Sequence, residues 1–560
     1  MPVTEASRPP LDLPLLLLAL ILTLVPLAVS GWTYNIETVK ETLFQTGTAL
    51  LLLTMAFRQA AAFGFLRRMD WVVMAYFCAN FFSFLFSQVQ DLGVEQLQVL
   101  GYQLLFYLLV RALELDARRF DWLTGLFLGS AAATSLVAIV QVVGGYTVRF
   151  GVPWETRATG TFVQPTFLGA FLSVMLPLAL QRILRPAEGR RRWVTGLGAF
   201  LVILTGLLLS LSRSGWLGAA LGLFVLVLMD RGLVPAFRSL LPFAVAMLVV
   251  FGLLLWWRPP TNLDLSRMSP RSSRSNQERV AIWSGSARMV LDRPVLGFGP
   301  GNFAPCFVVY APPFLQEISA GENMRALHAH SEVLHVAVES GLVGLGLWLA
   351  MLALAVRSLL EQGPELEPEE VNLRRLHLAM LAALLVNAAI GLDGRFTTSS
   401  MLLWYLLGMA ASRERCAPAG DSTVRRPLLV AMAVYLMWLP LDALEADHEK
   451  MVGASLHMTD RPKEALFHLA NAVLLRPADS EAHFLRGRNY VAMKDYPGAE
   501  TSYLEALRLD PFNPALCYNL AKVYIRTAQF DRARRLLELA VKVNPRFELA
   551  RRELERLERW

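Results

Sequence analysis

The segment from Thr195 to Asp230 is almost wholly apolar but carries one interior charge, Arg213, within Ser-Leu-Ser-Arg-Ser-Gly-Trp at 210–216. A helix needs about 20 residues to cross the hydrocarbon of a membrane, so this segment is too long for a single span. We therefore expect two membrane helices that fold back on each other at the Ser-Arg-Ser-Gly sequence. Arg213 would then lie at one face of the membrane and not at mid-depth.

Similar apolar segments recur along most of the chain, in which hydrophobic residues make up 55% of the 560 positions. This composition is typical of a polytopic membrane protein and predicts an all-α membrane domain of about 13 spans. The first apolar segment, Leu11 to Val29, is longer than a signal-peptide core, so we interpret it as a retained span. The predicted spans lie near 12 to 30, 42 to 57, 70 to 88, 96 to 111, 122 to 144, 164 to 184, 194 to 212, 214 to 229, 236 to 257, 332 to 356, 376 to 392, 398 to 411 and 427 to 441.

The loops between these spans differ in charge, because arginines occupy every second loop. Lys and Arg concentrate in cytoplasmic loops, so these loops and the N-terminus are predicted to be cytoplasmic. The net charge of +7 is explained by these loops and does not indicate a nucleic-acid partner. The basic loops carry Arg58, Arg67, Arg68, Arg111, Arg118, Arg119, Arg190, Arg191, Arg192, Arg231, Arg238, Arg374, Arg375, Arg413, Arg415, Arg425 and Arg426. The outward-facing segments are then 31 to 41, 89 to 95, 145 to 163, the Arg213 turn, 258 to 331, the Asp-Gly-Arg turn at 393–395 and everything after about 442.

The sequence after the last span becomes polar and repetitive, which predicts a membrane domain at 1–441 and a soluble helical domain at 442–560. Three markers recur at a spacing of 34 residues, and this spacing resembles that of the tetratricopeptide repeat. Helix pairs in such repeats need small residues where they pack closely and a proline that ends the second helix. Arrays of this kind form solenoids that bind protein partners. The markers are Pro477, Pro511 and Pro545, Ala465, Ala499 and Ala533, and the pair Tyr490 and Tyr524.

Polar groups that the predicted topology brings to the outward face form the main candidate site. Arg157, Arg213 and Arg279 all lie close to the ends of spans on that side, as do His328 and His330. Arginine presents a planar set of donors that stays charged and pairs bidentately with phosphate oxygens. Two or three such groups could hold a diphosphate and stabilise it as a leaving group. For any single arginine, a lipid-phosphate anchor or a loop salt bridge is an equally good interpretation.

His330 immediately precedes the apolar segment that starts near Ser331, where the positive end of the helix dipole favours a neutral imidazole. A neutral imidazole can accept a proton from an attacking hydroxyl, so His330 is a candidate general base. The alternatives are a capping or interfacial histidine, and a metal site at His328-Ala329-His330. No third metal ligand has a convincing spacing, and the four cysteines, Cys78, Cys306, Cys416 and Cys517, lack the spacing of a zinc or redox site. We therefore expect no metal and no cofactor.

Three further residues are candidates to bind substrate. Glu339 is an acid within a predicted span and is a functional candidate for that reason, although it could equally be a buried partner for an arginine. Arg293 lies near the start of a Gly- and Pro-rich sequence at 292–303, which must form a tight turn system. Arg395 lies in the outward turn between two late spans. A phosphate cradle at the glycines lacks the strand and helix that flank nucleotide-binding loops.

At these residues the chain resembles the O-antigen ligase and polymerase superfamily, bacterial membrane proteins that move glycans from an undecaprenyl diphosphate carrier. The resemblance extends over roughly 150 to 410. The matching sequences are Arg-Ala-Thr-Gly-Thr-Phe at 157–162, Ser-Arg-Ser-Gly-Trp at 212–216, Glu-Arg-Val-Ala-Ile-Trp at 278–283 with Asp-Arg-Pro-Val-Leu-Gly-Phe-Gly-Pro-Gly-Asn-Phe at 292–303, and His-Ala-His-Ser-Glu-Val-Leu at 328–334 with Glu-Ser-Gly at 339–341.

The resemblance implies a metal-independent glycosyltransferase with a GT-C-like fold, working at the periplasmic face of the bacterial inner membrane. It further implies that Arg157, Arg213 and Arg279 engage the diphosphate and that His330 is the base. The family usually has Asn after that histidine, whereas this chain has Ser331, which leaves His328 open as the base. The repeat domain, absent from the simplest ligases, leaves the acceptor open.

The leading hypothesis is therefore an inverting transferase that takes a glycan from an undecaprenyl-diphosphate-linked donor. The acceptor would be lipid A core in a ligase, a carrier-linked glycan in a polymerase, or a protein Ser or Thr in an O-oligosaccharyltransferase. The repeats would bind an envelope protein, and membrane lipids would surround the spans. Two alternatives from other classes are a transporter or flippase, which predicts paired broken helices in the two halves, and a membrane-anchored scaffold.

Overall fold

The computed structural model describes residues 12–58, 66–144, 157–184, 190–230, 274–312, 315, 326–361, 366–391, 396–412 and 425–559. Within these ranges every regular element is a helix, as the sequence predicted. The helices are α1 (Leu13–Leu27), α2 (Ile36–Arg58), α3 (Arg68–Leu85), α4 (Gln90–Ala112), α5 (Ala117–Gly144), α6 (Pro165–Ile183), α7 (Arg190–Leu209), α8 (Arg213–Met229), α9 (Arg274–Asp292), α10 (Phe303–Tyr310), α11 (Glu332–Leu360), α12 (Pro368–Ile390), α13 (Thr397–Ser412), α14 (Arg425–Met458), α15 (Pro462–Leu475), α16 (Ser480–Ala492), α17 (Tyr496–Leu509), α18 (Pro514–Arg526), α19 (Phe530–Val543) and α20 (Glu548–Glu558).

The long apolar segment forms two helices, α7 and α8, as predicted. Ser212 is the N-cap of α8, and its Oγ accepts a hydrogen bond from the amide of Gly215 at 3.2 Å, so the Ser-Arg-Ser-Gly sequence starts the second helix. A Cβ at Gly215 would lie 2.8 Å from backbone atoms of Gly169 in α6. Only glycine allows α6 and α8 to approach this closely, which is how membrane helices commonly pack.

Helices also cover the other described segments for which we predicted spans. Among the helices that the structure describes, five are long and apolar enough to cross a membrane, namely α5, α6, α11, α12 and α14, and α1, α7 and α8 are shorter apolar helices. The chain is therefore a multi-pass membrane protein. The predicted span at 236 to 257 lies outside the described residues, as do parts of the loops at 145–163 and 258–331. The total of about 13 spans and the GT-C-like arrangement stay predictions.

Helix α11 is broken at Gly341, which has a φ of 67° and a ψ of −171°. A break removes helical hydrogen bonds, and buried backbone groups at such a break need other partners. The amides of Phe298 and Gly299 donate to the carbonyl oxygens of Val338 and Glu339, both at 2.9 Å. The Gly- and Pro-rich sequence therefore forms the tight turn that we predicted, and it completes the broken helix.

The contact between this turn and α11 is reciprocal. The amide of Leu342, just after the break, donates to the carbonyl oxygen of Pro294 at 2.7 Å. Gly297 has a φ of 70°, and a Cβ there would overlap the carbonyl oxygen of Val338. The amides of Phe298 and Gly299 donate to carbonyl oxygens of α11, so these two donors cannot bind a phosphate. This argues against the alternative of a phosphate cradle at the glycines.

The boundary that we predicted between residues 441 and 442 lies within α14, which continues from its apolar first half into the repeat domain. The second half of α14 packs against α15 and forms the first helix pair of the repeat array. The pairs α16–α17 and α18–α19 follow, and α20 packs on the last of them. The first repeat is therefore a direct extension of the last apolar helix.

The repeat markers occupy equivalent places in successive helix pairs. Each marker proline follows the end of a second helix, and the marker alanines at 465, 499 and 533 are fully buried where helices meet. A third periodic feature is visible only in the structure, because each turn between the two helices of a pair contains a residue with a left-handed backbone. These residues are Asp460, Lys494 and Ala528, with φ of 57°, 61° and 57°.

The repeat domain contacts the membrane domain through ion pairs to the first turns of α4. Arg476 Nη2 lies 2.8 Å from Glu95 Oε2, and Arg508 Nη1 lies 2.5 Å from Asp91 Oδ2. These pairs join residues that we predicted to lie on one side of the membrane.

Candidate active site

Arg157 lies beside the turn between α7 and α8. Its Nε donates to the carbonyl oxygen of Ser210 at 3.1 Å, and its Nη2 donates to the carbonyl oxygens of Ser210 and Leu211 at 3.0 and 2.9 Å. Leu211 has a φ of 50°, a strained conformation that costs a non-glycine residue about 1 to 3 kcal/mol. The turn thus directs two carbonyl oxygens at one guanidinium group and holds Arg157 next to the start of α8, where Arg213 lies.

Arg213 and Arg279 are both positioned through α9. Arg213 Nη2 donates to Asn276 Oδ1 in the first turn of α9 at 2.9 Å. One turn further along α9, Arg279 Nη1 donates at 2.6 Å to the carbonyl oxygen of Ile390, the last residue of α12. A cation is favourable at a helix C-terminus because the dipole and the unpaired carbonyls there are negative. Helix α9 therefore joins the Arg213 turn to the end of α12.

The three arginines share one electrostatic environment. Burial and the positive charges of Arg213 and Arg279 lower the pKa of Arg157 to about 10. Arg157 nevertheless remains protonated at neutral pH, so three cations are held near each other by backbone and side-chain oxygens. Such a cluster favours an anionic ligand, because an anion relieves the repulsion among the cations.

His330 lies beside this cluster, immediately before Ser331, which is the N-cap of α11. Its φ of 50° is again in the left-handed region, and its carbonyl oxygen accepts a hydrogen bond from Trp283 Nε1 of α9 at 3.4 Å. Burial, with the nearby charge of Arg279 and with His335, lowers the pKa of His330 to about 4. The imidazole is therefore neutral at pH 7, and burial and a neighbouring cation favour this form in addition to the helix dipole that we had invoked.

A buried pair that we did not predict lies behind the loop that carries His328 and His330. His335 Nε2 is 3.1 Å from Glu339 Oε1, one turn along α11, and the His335 ring centroid is 5.7 Å from that of His328. One described partner of Glu339 is thus a histidine, a contact that we had not considered beside an arginine. The sequence already indicated this contact, because His335 and Glu339 are four residues apart and such residues lie on the same face of a helix.

The remaining candidates are placed differently. Arg293 is exposed, and its guanidinium lies 4.7 Å from the centre of the Phe298 ring in the glycine-rich turn. The structure thus groups Arg293 with the turn that completes α11. Arg395 lies outside the described residues. Asn276 was missed by the sequence analysis, since no motif distinguishes it from any other polar loop residue.

Two observations bear on metal and redox chemistry. In the part of the chain that the structure describes, no group of three or more His, Cys, Asp or Glu residues is arranged to hold a metal ion. Burial raises the pKa of the Cys306 and Cys517 thiols to about 12, so both are protonated at neutral pH and poorly nucleophilic. Cys78 is also a free thiol.

Comparison with known proteins bears on the resemblance. Residues 198–349 match a family model described as O-Antigen ligase, and residues 490–554 match one described as Tetratricopeptide repeat. No curated protein matches the chain significantly. One similar solved chain belongs to "Crystal structure of APC/C hetero-tetramer Cut9-Hcn1", with 14% identity, coverage of 96% of this chain and 98% of that chain, and a TM-score of 0.21, which is too low to support an argument.

Six of the eight candidate site residues fall within the first match: Arg213, Arg279, Arg293, His328, His330 and Glu339. The two matches lie in the order that the sequence analysis predicted. The chain therefore has a region similar to O-antigen ligases followed by a region similar to tetratricopeptide repeats, which confirms the resemblance and supports an O-antigen ligase or polymerase type of function in a membrane.

Proposed function

We propose that the protein is a glycosyltransferase that moves a glycan from an undecaprenyl-diphosphate carrier to a hydroxyl acceptor at the periplasmic face of the inner membrane. The observation that carries this proposal is the convergence of Arg157, Arg213 and Arg279 beside a neutral His330. A cationic cluster next to a base suits a reaction in which an anionic leaving group departs while a hydroxyl loses its proton.

In this mechanism His330 takes the proton of the acceptor hydroxyl, and the oxygen attacks the anomeric carbon of the glycan. A new carbon–oxygen bond forms, the bond from that carbon to the diphosphate oxygen breaks, and the electron pair leaves with the diphosphate. Attack from the side opposite the leaving group inverts the anomeric configuration. Arg213 and Arg279 stabilise the charge that develops on the diphosphate, so the reaction needs no metal ion.

Arg157 has two roles in this proposal, because it orders the Arg213 turn and also helps to attract the diphosphate. Arg157 gives its Nε and Nη2 donors to the carbonyl oxygens of Ser210 and Leu211, so it orders the Arg213 turn. Its charge adds to the potential that attracts the diphosphate. Arg157→Lys should therefore impair transfer more than loss of one phosphate contact would suggest, because lysine cannot make the same forked contact with the turn.

The nature of the acceptor decides between three versions of the proposal. The experiment is to incubate the purified protein with a carrier-linked glycan and, separately, with lipid A core, a second carrier-linked glycan or a pilin-like protein. Transfer to one of these identifies a ligase, a polymerase or a protein O-oligosaccharyltransferase, respectively. The repeats suit recruitment of a protein, either as the acceptor or as an envelope partner.

His330→Ala separates these versions from the non-enzymatic alternatives. A transferase loses glycan transfer in this variant, whereas a transporter or a scaffold keeps its activity.

Reporter fusions after residues 300 and 470 test the orientation, because both positions are periplasmic in this proposal. A cytoplasmic signal at either fusion would contradict it.

A further inference from the structure

The loop that carries His328 and His330 needs a support, because His330 occupies a strained conformation that loop residues do not keep without one. Between the two histidines lies Ala329, which is fully buried. Its amide donates a hydrogen bond to Nδ1 of His335 at 3.3 Å. The backbone of the loop is thereby tied to a side chain of α11.

His335 is itself held from its other side. Its Nε2 lies 3.1 Å from Glu339 Oε1, and both side chains are 3% exposed. Its ring also stacks on Phe303 of α10, with centroids 4.8 Å apart and planes inclined by 25°. The imidazole therefore has contacts with Ala329, with Glu339 and with an aromatic face.

These contacts select one form of the His335 ring. Nδ1 accepts the amide proton of Ala329, so it carries no hydrogen of its own. The ring proton then lies on Nε2 and is directed at the Glu339 carboxyl group. A doubly protonated ring would lose the acceptor at Nδ1 and would release the loop.

Glu339 is held by the break in α11. Its carbonyl oxygen accepts hydrogen bonds from the amide of Gly299 at 2.9 Å and from Oγ of Ser83 in α3 at 2.6 Å. The backbone of Glu339 is thus joined to the glycine-rich turn and to a neighbouring helix. The Glu339 side chain contacts His335 one turn back along α11, and His335 in turn accepts the hydrogen bond of the Ala329 amide.

We propose that His335 and Glu339 are positioning residues that hold the His328–His330 loop in place for transfer, through the Ala329 amide. The proposal rests on the proposed function, since it assigns the pair to the same site. It predicts that loss of His335 slows the chemical step while the arginines still bind the donor diphosphate.

The kinetic test compares His335→Leu, His335→Asn and His335→Gln in the purified full-length protein. A misplaced base costs up to about 100-fold, so we expect kcat of the leucine variant to fall about 10- to 100-fold, with KM for the carrier-linked donor changed less than about 3-fold. Asparagine places an oxygen where Nδ1 lies and should restore most of kcat. Glutamine reaches Glu339 but offers Ala329 no equivalent acceptor, so it should restore little.

The control is His377→Asn, which removes another buried imidazole from the membrane domain, one that packs edge-on against Phe120 in α5. This variant should keep its kcat, and thermal unfolding shows whether each variant is folded. A leucine variant with wild-type kcat, a loss confined to KM, or an asparagine variant no better than leucine would overturn the proposal.

Hydrogen exchange of the peptide covering 326–331 gives a readout that needs no activity. The Ala329 amide should exchange at least about 10-fold faster in His335→Leu than in the wild type, because it loses its acceptor. If the wild type transfers no glycan, the proposed function fails, and faster exchange then supports the contact alone. Equal exchange in the two proteins refutes the positioning contact whatever the activity.

Discussion

If His330 is the general base, its low pKa has a direct consequence for the pH dependence of transfer. An ordinary histidine with a pKa of 6.5 is only about one-tenth neutral at pH 5.5. Burial and the charge of Arg279 lower the pKa of His330 to about 4, so almost all of it is neutral at that pH. We therefore expect kcat/KM at pH 5.5 to remain close to its value at pH 7.5 and to fall only as the pH approaches about 4.

The charge of Arg279 can be removed while the burial of His330 is kept. Arg279→Gln should raise the pKa of His330 and move the acidic limb of the kcat/KM profile to higher pH. The midpoint of this limb should remain below pH 6.5, because burial is the larger cause of the lowered pKa of His330. Arg213→Gln is the matched control, since it removes a cation that the proposed mechanism also places at the diphosphate but that is not among the causes of the His330 shift.

The assay measures initial rates of glycan transfer from pH 4 to 8, at donor concentrations below KM, for the wild type and both glutamine variants. Both variants should be slower at every pH, because each lacks a diphosphate contact. Only the Arg279 variant should show a shifted acidic limb. A wild-type limb near 6.5, or an equal shift in the Arg213 variant, would refute the assignment of His330 as a buried base beside Arg279.

Three further predictions concern stability. Arg476→Ala removes the ion pair with Glu95 and should loosen the repeat domain from the membrane domain by about 1 kcal/mol or less, seen as faster proteolysis of intact protein near α15. Ala528→Gly should stabilise the repeats by about 1 kcal/mol in thermal unfolding, because Ala528 has a left-handed backbone that glycine adopts without strain. Gly297→Ala should destabilise the protein by well over about 1 kcal/mol, since its Cβ would overlap a carbonyl oxygen of α11, whereas Gly346→Ala, at which a Cβ meets nothing within 4 Å, should be neutral or slightly stabilising. An unstable Gly346 variant or a stable Gly297 variant would contradict this account of the turn.

The site contains both residues that a sequence can indicate and residues that it cannot. Arg213 was recognisable because a charge interrupts an apolar segment at the point where a second span must begin. Arg157 and Arg279 followed from the side of the membrane assigned to their loops, which depends only on counting spans and basic residues. Asn276 had no such signal, because its importance comes from the approach of α9 to the Arg213 turn, and that approach is a tertiary contact.

The tetratricopeptide array was recognisable for the same reason as the spans, since its markers repeat along the chain. The prolines follow the ends of helices, and the buried alanines lie where helices meet. Because every repeat has these same requirements, the residues recur at a fixed spacing in the sequence. The contact between the array and α4 involves no residues that recur at a fixed spacing, so the sequence does not indicate it. Arg476 and Glu95 are far apart in the chain, and only folding brings them together.

Periodic and local features of this chain thus account for its helices, the turn at Arg213, the repeat array and the side on which the polar candidates were grouped. Folding in three dimensions settled the rest: which carbonyl oxygens hold Arg157 and Arg279, how the glycine-rich turn completes the break in α11, and why His330 is neutral. The physical reason is that hydropathy and propensity act on neighbours in sequence, whereas burial, charge proximity and strain depend on groups that become neighbours only after packing.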